Sequence, residues 1–140
     1  MNTEEIISLD NQTSIPALFR FRAQTLKNKV AMREKHFGIW RTFSWNQYYS
    51  SSVRIGKAMM ALGLEPGQTV SILADPCKEW LFFDLAAQCI GCVSCGIYAT
   101  DSAPQILHIC EDSDTTLLIV ENEEQLDKYL IELGCDDIEV

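Results

Sequence analysis

A β-α-β pattern in the middle of the chain constrains the fold more than any other feature of the sequence. Thr69–Ala74 is a short apolar run with β-branched residues between turn residues, and it predicts a buried strand. Asp75 is predicted to cap the next helix, with Pro76 in its first turn and Gly91 at its end. Val93–Tyr98 predicts a second strand. Because a returning parallel strand needs a crossover of about a dozen residues, the helix connects two parallel strands.

The same alternation of strands and helices continues toward the C-terminus. Ser102 is predicted to cap a helix that runs to about Glu111. Thr116–Val120 predicts a third strand, and Asn122–Leu133 predicts a third helix that Gly134 ends. Such an alternation is typical of an open, doubly wound, mostly parallel sheet with flanking helices and right-handed crossovers. The sequence therefore predicts the α/β class.

Two further helices and a small β-hairpin are predicted before this unit. Thr13 or Ser14 is expected to cap a first helix with one apolar stripe. Val30–Lys35 and Ile39–Phe43 flank a turn that contains glycine, so they predict a hairpin. Ser44–Gln47 has the spacing of a capping box and predicts the start of a second helix.

The chain has the length of one domain. Its 140 residues are 47% hydrophobic, which is enough to bury a core. Residues 1–12 show no periodicity and are predicted to be a loose lead-in. Residues 13–140 are predicted to be one domain truncated at its C-terminal end, because Asp137–Val140 resembles the start of another strand.

The formal net charge of -9 is distributed unevenly along the chain. Residues 1–100 hold 10 basic and 8 acidic side chains, whereas residues 101–140 hold 1 and 12. An acidic surface repels phosphate backbones and anionic lipid head groups, which argues against a nucleic-acid partner and against electrostatic binding to membranes. No apolar run reaches the roughly 20 residues of a membrane span, and the N-terminus does not resemble a signal peptide. These features predict a cytoplasmic protein.

The six cysteines are expected to be reduced thiols. Cys89, Cys92 and Cys95 have the C-x2-C-x2-C spacing that opens a bacterial iron–sulfur motif, but Ala99 stands at the place of the fourth ligand. Because cysteine is among the most buried residue types, the three are predicted to be small core residues. A metal site and a redox-sensitive thiol are the alternatives.

Ligands of doubly wound sheets bind at the carboxyl ends of the strands. The three predicted ends are Ala74-Asp75-Pro76-Cys77, Tyr98-Ala99-Thr100 and Val120-Glu121-Asn122. None of them contains a G-x-G-x-x-G or Walker phosphate loop. Asp75 is a candidate catalytic acid, but its position before a helix favours the role of a helix cap. The ends of the strands therefore predict no dinucleotide or phosphate site.

The other candidate residues each have a structural explanation. His36 and His108 are lone histidines, and neither has a positioned partner that would make it a catalytic base. The carboxylates Glu111, Asp112 and Asp114 lie in an acidic region and are predicted to form a solvated turn. The aromatic residues Trp45 and Tyr48 have helical spacing and are predicted to pack in the core. No catalytic, cofactor-binding or metal-binding residue is therefore predicted.

From about Thr13 to Lys128, the chain resembles the N-terminal portion of the adenylate-forming (AMP-binding) enzymes. The resemblance is to the long-chain fatty acyl-CoA synthetases, with the bubblegum type as a narrower candidate. It lies in three segments, AMREKHFGIWRTFSWNQYY, ALGLEPGQTVSILADPCKEWLFFDLAAQCIGCVSCGIYAT and ENEEQLDK. The positions with family-like residues are Leu62-Gly63, Gly67, Val70, Ile72, Glu79-Trp80, Ala86-Ala87, Gly91, Gly96-Ile97-Tyr98 and Thr100.

The sequence also departs from the family's usual pattern. Asp75 and Cys77 stand where the family often has Asn-Arg or Ser, and Ala99 stands where it commonly has Pro. The three clustered cysteines replace small apolar residues, which supports their prediction as core residues.

The resemblance implies a fatty acid–CoA ligase that uses ATP, Mg2+ and CoA. In such an enzyme a fatty acid and ATP form an acyl-adenylate, and CoA then takes the acyl group. The family's phosphate loop, magnesium ligand, ribose-binding Asp and mobile Lys lie downstream of this chain, so it is expected to be an inactive fragment that supplies scaffold. Membrane docking of the intact enzyme stays open. The alternative is a non-catalytic, stand-alone binding module of the same ancestry.

Overall fold

The computed structural model describes residues 14–133. Within this range the chain forms an α/β fold with a three-stranded parallel sheet, a two-stranded hairpin and five helices. The elements are α1 (Ile15–Leu26), β1 (Val30–His36), β2 (Ile39–Ser44), α2 (Trp45–Ala61), β3 (Thr69–Leu73), α3 (Lys78–Cys89), β4 (Val93–Ile97), α4 (Ala103–Asp112), β5 (Thr115–Val120) and α5 (Glu123–Leu133). The predicted lead-in at 1–12, the alternative cap Thr13, the stop Gly134 and the strand start at 137–140 lie outside the described residues.

The parallel sheet has the strand order β4-β3-β5, with β3 in the centre. Val70 packs against Met59 of α2 and Ala86 of α3, whereas Leu73 packs against Ile106 of α4. Since successive side chains of a strand point to opposite faces, helices cover both faces of the sheet. Every residue of β3 is buried, as the doubly wound fold requires of its central strand. The predicted α/β fold is confirmed.

The hairpin and the helix after it begin as their sequences predict. β1 pairs antiparallel with β2, and Gly38 supplies a positive φ of 78° in the turn. The Ser44 hydroxyl accepts a hydrogen bond from the Gln47 N–H at 3.2 Å, while the Gln47 side chain accepts one from the Ser44 N–H at 2.8 Å. This capping box fixes the start of α2 directly after β2.

A second cluster joins α1 to α2 and α3 through aromatic side chains. Phe19 contacts Tyr48 edge-on, with ring centroids 4.6 Å apart, and Tyr48 lies 5.6 Å from Phe82. Trp45 packs at the border of the same cluster. The Tyr48 hydroxyl donates to the Leu81 carbonyl at 3.3 Å, and burial raises the pKa of that phenol. Tyr48 is therefore a core residue, as predicted, and Trp45 is partly buried against the same cluster.

Ser52 is a buried polar residue on the surface of α2 that packs into the core. Its side chain is fully buried, and its hydroxyl has no hydrogen-bond partner among residues 14–133. We expect Ser52→Ala to raise the free energy of unfolding by about 1 kcal/mol, because the variant no longer buries an unpaired hydroxyl. Urea titration followed by tryptophan fluorescence measures this change. Ser50→Ala, at an exposed position of the same helix, has the same gain in helix propensity and is the control. Equal effects at the two positions would contradict the explanation.

Candidate functional site

A crevice opens where the carboxyl ends of β3 and β4 meet. After β3 the chain enters α3 on one face of the sheet, and after β4 it enters α4 on the opposite face. Ligands of open α/β sheets bind in crevices outside the carboxyl ends of the strands. The cavity has a volume of about 830 Å³ and is lined by residues 74–78 and 96–100 together with Trp80 and Leu81. The structure thus brings together two of the three strand ends singled out in the sequence.

The hairpin supplies a further wall that the sequence did not predict. Residues 32–35 of β1 also line the crevice. Lys78, the first residue of α3, joins the two parts, because its Nζ lies 2.9 Å and 3.1 Å from the two carboxylate oxygens of Glu34. Lys78 Nζ also lies 2.6 Å from Glu79 Oε1 and 5.7 Å from the Phe43 ring centroid. No local pattern could have indicated this contact, since the paired residues are 44 positions apart.

The opposite charges of Lys78 and its two glutamate partners stabilise one another. The hydrogen bond to Glu79, and then that to Glu34, raises the pKa of the Lys78 ammonium although burial opposes the shift. Burial, the largest single influence on the Glu79 pKa, raises it, but the hydrogen bond from Lys78, a backbone hydrogen bond and the charge of Lys78 together hold this pKa below its usual value. Both groups are therefore charged near neutral pH, and Arg33 and Lys35 add two exposed cations at the rim.

The start of α3 differs from the prediction. The N-cap is Cys77, and its Sγ accepts a hydrogen bond from the Trp80 N–H at 3.4 Å. Asp75 lies two residues earlier and is exposed, and its own N–H donates to Glu121 Oε2 at 2.8 Å. The prediction of Asp75 as the cap was wrong because Asp75 and Pro76 form the exit from β3, before the helix begins. Pro76 consequently lies outside the first turn.

The role of Cys77 as the N-cap of α3 leads to a prediction about the stability of the chain. A thiol is a weak acceptor, whereas serine is among the preferred N-cap residues. We expect Cys77→Ser to raise the free energy of unfolding by about 1 kcal/mol and Cys77→Ala to lower it by about 0.5 kcal/mol. Asp75→Ala, at the position first predicted as the cap, is the control and should change stability by less than about 0.5 kcal/mol. Urea midpoints measure all three. A larger loss at Asp75 than at Cys77 would contradict this assignment.

On one side of the crevice, the indole of Trp80 packs against the backbone of a glycine in β4. A Cβ built on Gly96 of β4 would lie 3.0 Å from Cζ2 of Trp80. The indole therefore lies directly against the strand backbone, in space that any other side chain would fill. Tyr98 follows at the end of β4 and is 77% exposed. Its N–H donates to Asp101 Oδ2 at 3.3 Å, which orders the loop that leads to α4.

The end of β5 and helix α5 make hydrogen bonds to the loops that line the crevice. Glu121, directly after β5, accepts the Asp75 N–H and so links the exits of β5 and β3. Lys128 of α5 donates to the Ala99 carbonyl at 3.0 Å and to Gln125 Oε1 at 3.2 Å. The loops at this edge are therefore held by specific side-chain contacts from the C-terminal half of the chain.

The remaining sequence candidates do not join the crevice. His36 ends β1 at an exposed position, with its ring 4.2 Å from that of Phe37, and His108 is exposed on α4. Glu111, Asp112 and Asp114 are exposed around the end of α4. Among residues 14–133, no group of three or more His, Cys, Asp or Glu side chains could hold a metal ion.

The clustered cysteines are separated by the fold. Cys89 ends α3, Cys92 is buried in the turn before β4, and Cys95 lies within β4. Cys92 Sγ donates to the Glu65 carbonyl at 3.3 Å. Burial raises the pKa of the Cys89 and Cys92 thiols, which disfavours the reactive thiolate form. Within the described ranges these residues do not form the iron–sulfur site considered as an alternative.

The crevice has the composition of a small-molecule site. Its lining is mainly apolar, with Met32, Trp80, Leu81 and Ile97, and a few cations and one exposed carboxylate stand at its rim. Pockets of this kind bind organic ligands through apolar contact and use polar groups to orient them. The residues that line this crevice can therefore bind and orient a ligand.

Sequence comparisons identify the family. The model of the AMP-binding enzyme family matches residues 19–138. The long-chain-fatty-acid–CoA ligase ACSBG2 of Mus musculus is 34% identical over 118 residues, which are 84% of this chain and 18% of that protein. ACSBG1 of Bos taurus is 35% identical over 100 residues, covering 71% of this chain and 14% of its own length. The chain thus spans less than a fifth of the length of these relatives.

Solved structures share the fold. The anthranilate CoA ligase AuaEII, in complex with anthranoyl-AMP, superposes with a TM-score of 0.80 at 21% identity, over 96% of this chain and 25% of that one. The fatty acid AMP ligase from Legionella pneumophila gives 0.74 at 20% identity, over 89% of this chain and 22% of that one. The resemblance drawn from the sequence is confirmed: the chain belongs to the AMP-binding enzyme family, and it is similar to the N-terminal portion of long-chain-fatty-acid–CoA ligases of the ACSBG type.

Proposed function

We propose that this chain acts as the N-terminal part of a fatty acid–CoA ligase. That enzyme would join a long-chain fatty acid to CoA through an acyl-adenylate, with ATP as the second substrate and Mg2+ as the metal. The sequence similarity to relatives named long-chain-fatty-acid–CoA ligase supports the reaction class. The observation that carries the role of this segment is the crevice at the carboxyl ends of β3 and β4, which is where doubly wound sheets bind ligands.

In the proposal, the segment supplies one wall of the substrate-binding region. Trp80 and Leu81 offer apolar contact, and Lys78 holds the hairpin wall against α3. The catalytic groups would come from the part of the relatives that this chain does not match. The chain alone is then expected to release no AMP from ATP in the presence of fatty acid. A cytoplasmic location stays a prediction, and no helix among residues 14–133 is long and apolar enough to cross a membrane.

The test is a chimera of the mouse relative in which this chain replaces the matching segment. We expect the chimera to release AMP in a fatty-acid-dependent and CoA-stimulated manner, whereas the mouse protein without the segment should not. A control chimera carries an unrelated α/β segment of equal length. A folded chimera that binds ATP but releases no AMP would contradict the proposal.

A stand-alone binding module is the alternative function. β4 and β5 are the outer strands of the described sheet, so a segment of a larger enzyme should expose apolar surface next to them. The isolated chain is then expected to self-associate or to bind a hydrophobic dye. A monomer that melts cooperatively without binding the dye would favour the module.

A further inference from the structure

The β-hairpin presents three large apolar side chains to solvent. Phe37 is 91% exposed, Ile39 68% and Trp40 64%. They lie at and next to the tight turn formed by Phe37 and Gly38, where both residues have positive φ. A hairpin turn folds well with small polar residues. Folding of the hairpin alone therefore does not account for three apolar side chains at its tip.

Basic side chains flank the exposed indole on the same face of the hairpin. Lys35 is the cross-strand partner of Trp40, and Arg33 is the partner of Thr42. Partners opposite each other, and residues two apart along a strand, share a face, so these four side chains form one outer face. All four are exposed. We call this face, together with Phe37 and Ile39 at the turn, the hairpin tip.

The single acidic residue of the hairpin lies on the other face. Glu34 is the partner of Arg41, and its carboxylate is bound by Lys78 of α3. The outer face thus carries positive charge without an acidic neighbour from its own strands. Because Glu34 points toward α3, the hairpin tip is both cationic and apolar.

This local charge is opposite to that of the whole chain. Residues 27–44 contain five basic side chains and one acidic side chain, whereas the rest of the chain contains 6 basic and 19 acidic ones. The overall charge argues against electrostatic binding to membranes, but segregated charges allow one face to approach an anionic surface. The basic face would point toward the lipid while the acidic remainder points away.

We propose that the hairpin tip docks on the surface of an anionic lipid membrane. Trp and Phe partition into the interfacial region of a bilayer, and Lys and Arg bind anionic head groups. A narrow, projecting turn enters a fluid interface with little steric demand, whereas a protein partner would need a matching groove. Arg33 and Lys35 also border the crevice, so the docking surface is continuous with the crevice mouth. The proposal does not depend on ligase activity.

Vesicle flotation of the 140-residue chain tests this proposal, because floating vesicles separate bound protein from any aggregate. We expect binding to vesicles of phosphatidylcholine with 30% phosphatidylserine, weaker binding to pure phosphatidylcholine, and loss of binding as salt rises. Arg33→Gln with Lys35→Gln should weaken binding about 30-fold, since each cation near an anionic surface contributes about fivefold in affinity. Phe37→Ser with Trp40→Ser should weaken it about as much.

Matched variants and a spectroscopic signal make the test specific. Arg54→Gln with Lys57→Gln removes the same charge from the exposed side of α2 and should leave binding within about twofold. Bound protein should show a blue shift in tryptophan emission that Trp40→Phe abolishes. Failure to float with anionic vesicles, equal binding to neutral ones, or equal losses in the α2 variant would each overturn the proposal. So would a dimer in solution that the hairpin variants dissociate.

Discussion

Leu73→Ala is expected to lower the free energy of unfolding by about 2–5 kcal/mol, which is the range for truncating a buried leucine. Leu73 is fully buried at the end of the central strand and packs against Ile97, Ile106 and Cys110. Strands on both sides restrict collapse of the site, so the missing side chain leaves a cavity. Urea unfolding followed by tryptophan fluorescence measures the loss.

The control for this substitution is Leu62→Ala. Leu62 follows α2 and is 73% exposed, so the same change in side chain should cost less than about 0.5 kcal/mol. If the two variants unfolded at the same urea concentration, Leu73 would not lie in the core described for it. The comparison also bears on the crevice, because Leu73 immediately precedes the residues that line it.

Gly56→Leu is expected to destabilise the chain by about 3 kcal/mol, at the upper end of the usual cost of overpacking. Gly56 lies where α2 crosses α3, and a Cβ at this position would lie 3.0 Å from Cγ2 of Ile90 and 3.3 Å from the Ala86 carbonyl oxygen. The side chain of Ile90 can shift by a few tenths of an ångström, but the backbone of α3 cannot yield to a whole leucine. Separation of the two helices is the expected result, and urea unfolding measures its cost.

Ala58→Leu provides the comparison on the same helix. Ala58 is exposed, so a leucine there gains no steric conflict and keeps a high helix propensity. Its stability should remain within about 0.5 kcal/mol of the parent chain. Gly56→Leu with unchanged stability would show that α2 and α3 are not in the close contact that the structure gives them.

Most of the fold follows from local signals in the sequence. The capping box at Ser44, the buried run from Thr69 and the cap at Ser102 each act within a few residues, so their helices and strands were predicted with small shifts at the ends. The hairpin was also predicted, because Gly38 marks its turn. The family resemblance added the domain type, and the comparisons confirm it.

The errors and omissions arise where distant residues decide the outcome. Asp75 has the chemistry of a cap, but the chain leaves β3 through Asp75 and Pro76, so Cys77 takes the role. The hairpin wall of the crevice depends on the pair of Lys78 with Glu34, which sequence spacing does not show. Likewise, which hairpin face is exposed depends on how the hairpin packs against α3.

The most direct test of the central proposal is amide hydrogen exchange on the chimera with the mouse relative, measured with and without ATP, fatty acid and CoA. If the crevice forms a wall of the substrate-binding region, the ligands should slow exchange in residues 74–78 and 96–100, while α1 should not change. Slowed exchange in the rest of the chimera, with no change in these two segments, would show that the crevice takes no part in binding.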